Sequence, residues 1–237
     1  MSLFSKLFSP IEPNKPEEVV KQDTVALHSE TSYCPYCSVY LIKKPTRKSK
    51  CPNCHNDIYV RNKQTLFPQQ LLTEHQTDAV DLIKNFEYLG LNDESFKREQ
   101  ELLSIKFGKP AGIPDTIWSI YNGLLDTLSR TDDFSQMSAI YFQMARQLVN
   151  EGKEGQRFVV EANKMTLRDY SRMNVIDFEI ESSVNCCEAC KKQDGSMLKL
   201  TSELLTKPPL PPDNCTCVFV IGKPPMCTCL YIAKSFK

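Results

Sequence analysis

The sequence is short of histidine. His28, His55 and His75 are its only three in 237 residues, and none stands in a nucleophile–base arrangement. It has no Gly-rich phosphate loop and no Gly-x-Ser-x-Gly elbow, so the local signatures of those catalytic classes are missing. Lys+Arg and Asp+Glu balance at 29 each, so no global field argues for nucleic acid or a membrane surface. No apolar run nears the roughly 18 residues of a membrane-spanning helix. The apolar start, Met1 to Phe8, is cut off by Pro10 and Pro13 far short of a secretory signal and reads as a frayed terminus. Cysteine is absent from 55–185, whereas a disulfide framework would be spread along the chain.

What is present is a clustered excess of cysteine: four in 34–54 and seven in 186–229. Paired clusters fit metal sites in a reducing compartment, and the expectation is a cytoplasmic protein. Residues 9–32 are rich in Pro, Glu and Lys, so 1–32 reads as a flexible leader.

The strongest chemical signal lies in 33–61. Cys34-Pro35-Tyr36-Cys37 and Cys51-Pro52-Asn53-Cys54 are separated by thirteen residues. A Cys-x-x-Cys turn presents both sulfurs on one side of the backbone, and two such knuckles supply four thiolates to one tetrahedral Zn²⁺. Val39 to Ile42 and Ile58 to Val60 have strand composition around a turn at 43–50. The pattern resembles the zinc-ribbon class, over about thirty residues. A unit this small buries little apolar surface, so the metal would supply most of its folding free energy.

Three rivals compete for these residues. Cys34-Pro35-Tyr36-Cys37 matches a glutaredoxin motif, but a strand-like run follows where that chemistry needs a helix. His28-Ser29-Glu30 spells the His-x-Glu of zinc deaminases, which those enzymes place well before the cysteines, but only three residues separate Glu30 from Cys34 and no Pro precedes that cysteine. His55 adjoins Cys54, and neighbouring residues rarely ligate one ion, so it reads as a surface residue. Segment 31–63 also carries seven Lys/Arg against one acidic residue, five of them in 43–50. With Tyr36, Tyr40 and Tyr59 nearby, this basic hairpin is a candidate contact for nucleic acid or a protein partner. The bland alternative is a solvated tip whose lysines keep an edge unpaired.

Residues 64–174 have helical spacing. One amphipathic helix carries Ala79, Leu82, Ile83, Phe86 and Leu89 and stops at Gly90. A second is capped by Asn92, places Phe96, Leu102, Leu103 and Phe107 inside, and stops at Gly108. Asp115 is expected to cap a third, and Asp132 or Asp133 a fourth that closes at Gly152. A fifth runs from about Glu154 to Met173. The expectation is a helical bundle with short connections.

In 175–182, Ile176, Phe178 and Ile180 alternate with Asp177, Glu179 and Glu181, which predicts a half-buried strand. Cys186-Cys187-Glu188-Ala189-Cys190 follows, then a turn at Asp194-Gly195 and a strand at Met197 to Leu200. A short helical piece, Ser202 to Leu205, precedes a proline run at 208–212. Cys215-Thr216-Cys217, a predicted strand Val218 to Ile221, and Cys227-Thr228-Cys229 complete the cluster. In extended backbone, residues i and i+2 share a face, so both sulfurs of each Cys-x-Cys can reach one ion. Cys187 and Cys190 lead as ligands; Cys215, Cys217, Cys227 and Cys229 compete for the remaining places, with Cys186 as the spare. A two-metal cluster and an iron–sulfur cluster stay open as alternatives.

Cys187-x-x-Cys190, Lys191-x-x-Asp194-Gly195 and a proline run ending at Cys215-Thr216-Cys217 resemble the cysteine-rich tail of phage Mu F-like head-morphogenesis proteins, over about thirty residues. The chain departs from that pattern in lacking the usual His, with Pro211 nearest its place, and in a run one residue longer. The resemblance implies a metal-stabilised element and an assembly role of phage or prophage origin.

Together these features predict an α+β protein: leader 1–32, zinc ribbon 33–63, helical bundle 64–174, and a C-terminal strand with a cysteine-rich metal-binding element over 175–237. One Zn²⁺ is expected in the ribbon and a second at the C-terminal cysteines. The leading expectation is a non-enzymatic interaction module with structural metal sites. A metal-dependent enzyme using carboxylates near the C-terminal cluster and a phage-associated assembly protein are its rivals.

Overall fold

The computed structural model describes residues 32–237. The leader before Ser32, the Met1–Phe8 stretch and the His28-Ser29-Glu30 triplet lie outside the described residues. The fold is α+β. A small antiparallel sheet comes first, with order β1-β2-β3: β1 (Ser49–Lys50), β2 (Asp57–Val60) and β3 (Leu71–Leu72). Five helices follow: α1 (Glu74–Phe86), α2 (Asp93–Phe107), α3 (Ile113–Ser129), α4 (Phe134–Asn150) and α5 (Gln156–Arg172). The chain then forms β4 (Val175–Glu181), a single turn α6 (Glu188–Lys191), β5 (Met197–Lys199) and β6 (Leu230–Phe236).

Local chemistry sets the helix ends. Thr73 and Gln76 cap α1 reciprocally, as Asn92 and Ser95 cap α2, each satisfying N–H groups that have no intrahelical partner. Gly90 and Gly108 take left-handed φ values of 84° and 64° where the chain leaves its helical turns. Asp133 caps α4 by accepting from the Gln136 N–H. The third helix departs from expectation. It starts at Ile113 behind Gly112, with Pro114 in its first turn, where a missing N–H costs nothing. Asp115 is inside that turn, favourably placed for the helix dipole, rather than its cap. On α2, Phe96 and Leu103 are buried, but Leu102 and Phe107 face solvent, contrary to the expected inward stripe.

Three apolar cores result. The first joins α1 to α4 around Leu82, Phe86, Phe96, Ile117, Tyr121 and Ile140. The second packs Val149, Val159, Leu167, Phe178, Ile180 and Tyr231 together with the C-terminal cysteines. The third lies in the N-terminal cysteine segment: Cys34, Leu41, Cys51, Ile58 and Leu71. Both α4 and α5 serve two cores, with Met144 and Met165 in the first and Ala145 and Val159 in the second. Their approach is close at Gly155, where an added Cβ would stand 2.5 Å from the Ala145 carbonyl oxygen.

The C-terminal sheet has order β5-β4-β6, all antiparallel. Register shifts between Val175 and Phe178 break the strict alternation. Val175, Phe178 and Ile180 are buried, while Ile176 is only half-buried, so the expected inward set is corrected at its first member. The strand expected at Val218 to Ile221 does not form; Val218, Phe219 and Ile221 are exposed. The third strand is β6 instead. Similarly, Val39 to Ile42 contributes a single bridge, Tyr33 to Tyr40, rather than a strand, and Ser202 to Leu205 forms turns without a helix.

The N-terminal cysteine segment is tied to α1 at two points. The Glu74 backbone N–H, a free donor at the start of that helix, donates to Tyr36 Oη at 2.8 Å. Arg61 makes a two-pronged contact with Asp81, at 3.2 and 3.0 Å.

Candidate metal centres

The two N-terminal Cys-x-x-Cys turns repeat one hydrogen-bond pattern. In the first, the Cys34 N–H donates to Val39 O and the Ser38 N–H to Cys34 O, both at 2.9 Å. In the second, the Cys51 N–H donates to Asn56 O at 2.9 Å and the His55 N–H to Cys51 O at 3.0 Å. The fifth residue of each turn takes a left-handed backbone, Ser38 at φ 55° and His55 at φ 59°. His55 is exposed and belongs to no ligand group, so its role is to turn the chain.

These turns place Cys34, Cys37, Cys51 and Cys54 so that all four Sγ atoms lie within 4.8 Å of one another. Cys34 Sγ is 3.7 Å from Cys54 Sγ, and Cys37 Sγ is 3.7 Å from Cys51 Sγ. Four thiolates about 2.3 Å from one zinc stand ~3.8 Å apart, the edge of a tetrahedron. Disulfide sulfurs would stand ~2 Å apart, and all eleven cysteines are free. Donors surround the sulfurs: Tyr36 N–H to Cys34, the Asn53 amide to Cys37 and the Asn56 amide to Cys54.

The thiol acidities differ by surroundings. Burial pushes Cys34 up to about 12. The Asn53 amide and the Val39 N–H bring Cys37 down to about 6, and the Cys54 N–H lowers Cys51. Four thiolates packed this closely repel one another unless a cation sits between them.

The C-terminal cysteines are held by the second core. Cys187 precedes α6, and that turn carries Cys190 inward. Asp194 accepts from the Ser182 N–H at 2.7 Å and so pins the next turn to the end of β4. Gly195 then reverses the chain at φ 71°. In the proline run Leu210 is fully buried. Its N–H donates to Tyr231 Oη at 2.9 Å, and its carbonyl accepts from the Asn163 amide at 3.1 Å. Tyr170 Oη donates to the Tyr231 carbonyl at 2.6 Å. Cys215 and Cys217 follow on irregular backbone, tied by the Met226 N–H to the Cys217 carbonyl. Lys223 donates to the Asn150 carbonyl at the end of α4, closing the loop back toward Cys227.

Cys187, Cys190, Cys215 and Cys217 form one group with ligand atoms within 4.8 Å of one another, and Cys190, Cys217, Cys227 and Cys229 form another. Every cysteine singled out in the sequence thus falls in a group, and Cys186 falls in none. Burial raises the thiols of Cys190 and Cys227 and pushes Cys217 up to about 12. For Cys187 burial works the same way, but the Thr216 and Cys190 N–H groups outweigh it and bring the thiol down to about 6. Among the described residues, every such group consists of cysteine alone, with no histidine or carboxylate.

The fold and sites define an α+β protein with cysteine groups able to hold metal at both its N-terminal and C-terminal parts. No protein-family model, curated protein or solved structure matches the chain. Among the described residues no helix is long and apolar enough to cross a membrane.

Proposed function

We propose that this is a non-enzymatic zinc protein whose cysteine centres are structural and whose basic hairpin is its contact surface. One observation carries the reading: each group consists of four cysteine sulfurs within 4.8 Å of one another, with no histidine or carboxylate among them. Catalytic zinc keeps an open position beside three protein ligands, commonly including histidine or carboxylate. Carboxylates near the C-terminal group are engaged elsewhere: Glu188 pairs with Lys191 at 2.8 Å, and Asp194 accepts from Ser182. The domain plan of ribbon 33–63, helical bundle 64–174 and cysteine-rich region 175–237 belongs to this proposal, as does a cytoplasmic location.

The hairpin supports the contact role through its unpaired charge. Lys48 and Lys50 flank Asp57, at 2.9 and 3.8 Å, and Lys48 also covers the Tyr59 ring. Lys43, Lys44 and Arg47 are exposed and form no ion pair among the described residues. Three free cations at one tip suit the phosphate backbone of a nucleic acid.

Cobalt substitution tests the structural role. The thiolate-to-cobalt absorption of the loaded chain should be indifferent to azide, and a shift on adding it would favour the enzyme reading. Binding of single-stranded DNA or RNA, measured against salt, tests the hairpin. A Lys43→Gln, Lys44→Gln, Arg47→Gln variant should bind at least tenfold more weakly with a shallower salt slope. Equal binding would remove the nucleic-acid partner and leave a protein partner.

The second reading is an assembly protein related to the phage Mu F-like tails. It is favoured by one observation: the motif's four cysteines, Cys187, Cys190, Cys215 and Cys217, come together as one group.

A further inference from the structure

The six C-terminal ligand residues are not two independent sets. The two foursomes share Cys190 and Cys217. Cys190 Sγ stands 3.5 Å from Cys217 Sγ, 3.6 Å from Cys215 Sγ and 3.7 Å from Cys227 Sγ. Each distance is close to the ~3.8 Å edge of a zinc–thiolate tetrahedron. Two tetrahedra that share one edge need six sulfurs in all, two common and four private. Those are the numbers found here, with Cys190–Cys217 as the common edge, Cys187 and Cys215 on one side, and Cys227 and Cys229 on the other.

We infer that the C-terminal centre is binuclear, with two divalent zinc ions bridged by the thiolates of Cys190 and Cys217. The inference rests on the structural-zinc reading above and doubles the metal expected at this end of the chain.

A single ion does not account for the arrangement. Placed in the first foursome, it leaves Cys227 3.7 Å from Cys190 with no ligand role, and leaves Cys229 almost wholly buried beside it. Placed in the second, it strands Cys187 and Cys215. Charge points the same way. Six thiolates with one divalent ion carry a net charge of about −4, and with two ions about −2. Cys190, Cys217, Cys227 and Cys229 are each no more than 2 % exposed and pack against Phe178, Ile180 and Tyr231, where uncompensated charge is costly.

The test is metal stoichiometry and through-sulfur coupling on the 237-residue chain. Zinc per chain, measured by native mass spectrometry after anaerobic purification, should be three: one in the ribbon and two at the C-terminal centre. After exchange with ¹¹³Cd, two of the three cadmium resonances should show mutual scalar splitting, because only a shared ligand connects two ions through bonds. A Cys34→Ser, Cys37→Ser variant should drop to two ions and keep that split pair. A total of two, falling to one in that variant, would overturn the binuclear centre and leave the structural-zinc reading standing. Three ions with no splitting would overturn the bridge. No bound metal would overturn both.

Discussion

The side-chain amide of Asn163 donates to the carbonyl of Leu210 across 3.1 Å, forty-seven residues away and out of contact with solvent. It joins α5 to the proline run that leads into Cys215. A buried carbonyl that loses its donor costs roughly 1–3 kcal/mol. Asn163→Ala should therefore lower stability by about that amount, read from the urea midpoint of zinc-loaded protein. Asn163→Asp should be at least as harmful, since it replaces the donor with an acceptor.

Gly155 makes a second, purely steric prediction. Its φ of −105° suits any residue, so backbone freedom is not the issue. An added methyl would sit 2.5 Å from the Ala145 carbonyl oxygen, and backbone cannot step aside as a flexible side chain can. Gly155→Ala should destabilise by about 1–3 kcal/mol, the usual range for overpacking. Gly123→Ala, where the added Cβ meets nothing within 4 Å, should be neutral or stabilising and serves as the comparison.

Asp78 predicts a pH dependence. Burial, reinforced by Glu74 and Asp81, pushes its carboxyl up to about 6, although His75 lies 3.9 Å away and partly offsets them. A folded pKa above the unfolded value means the native state holds the proton longer. Stability is then lost as pH rises from about 4 to 6 and is level above that. With the side chain a quarter exposed, the penalty at neutral pH is ~1–2 kcal/mol. Asp78→Asn should stabilise the protein at pH 7.5 by this amount, with the gain shrinking at pH 5. Chemical denaturation at both values, with zinc in excess, checks the sign.

Metal removal should act unequally. The first core contains no cysteine, whereas the second and third cores each contain several. A chelator should abolish protection of ribbon and β4–β6 amides in hydrogen exchange while amides in α1 to α3 keep theirs. Equal loss throughout would show that the first core cannot stand without the others.

Sequence reasoning succeeded where the determining chemistry is local. Asn92, Asp133, Gly90 and Gly108 punctuate helices because each satisfies or frees backbone groups within a few residues. The two Cys-x-x-Cys turns that bring Cys34, Cys37, Cys51 and Cys54 together are equally local. It failed where distant segments decide. Val218 to Ile221 has strand composition, yet it pairs with no strand, and Val218, Phe219 and Ile221 face solvent. Leu230 to Phe236 lacks clear alternation but is recruited by the free edge of β4. The register shift that demotes Ile176 arises from that same pairing. Cysteine spacing pairs Cys215 with Cys217 and Cys227 with Cys229. That both pairs converge on Cys190 depends on where Leu210 and Lys223 hold their loops, which no short window contains.

The strand order β5-β4-β6 sets a timetable for synthesis. Every residue of the third and first cores has left the ribosome before Phe178 and Ile180 do. Those two side chains then wait about fifty residues for Tyr231 to cover them, several seconds at ordinary elongation rates. During that interval β4 has a bare edge and the nascent chain carries unpaired thiols. A chain cut anywhere between Cys190 and Leu230 would hold the whole first core but leave Phe178 and Ile180 without Tyr231 to cover them.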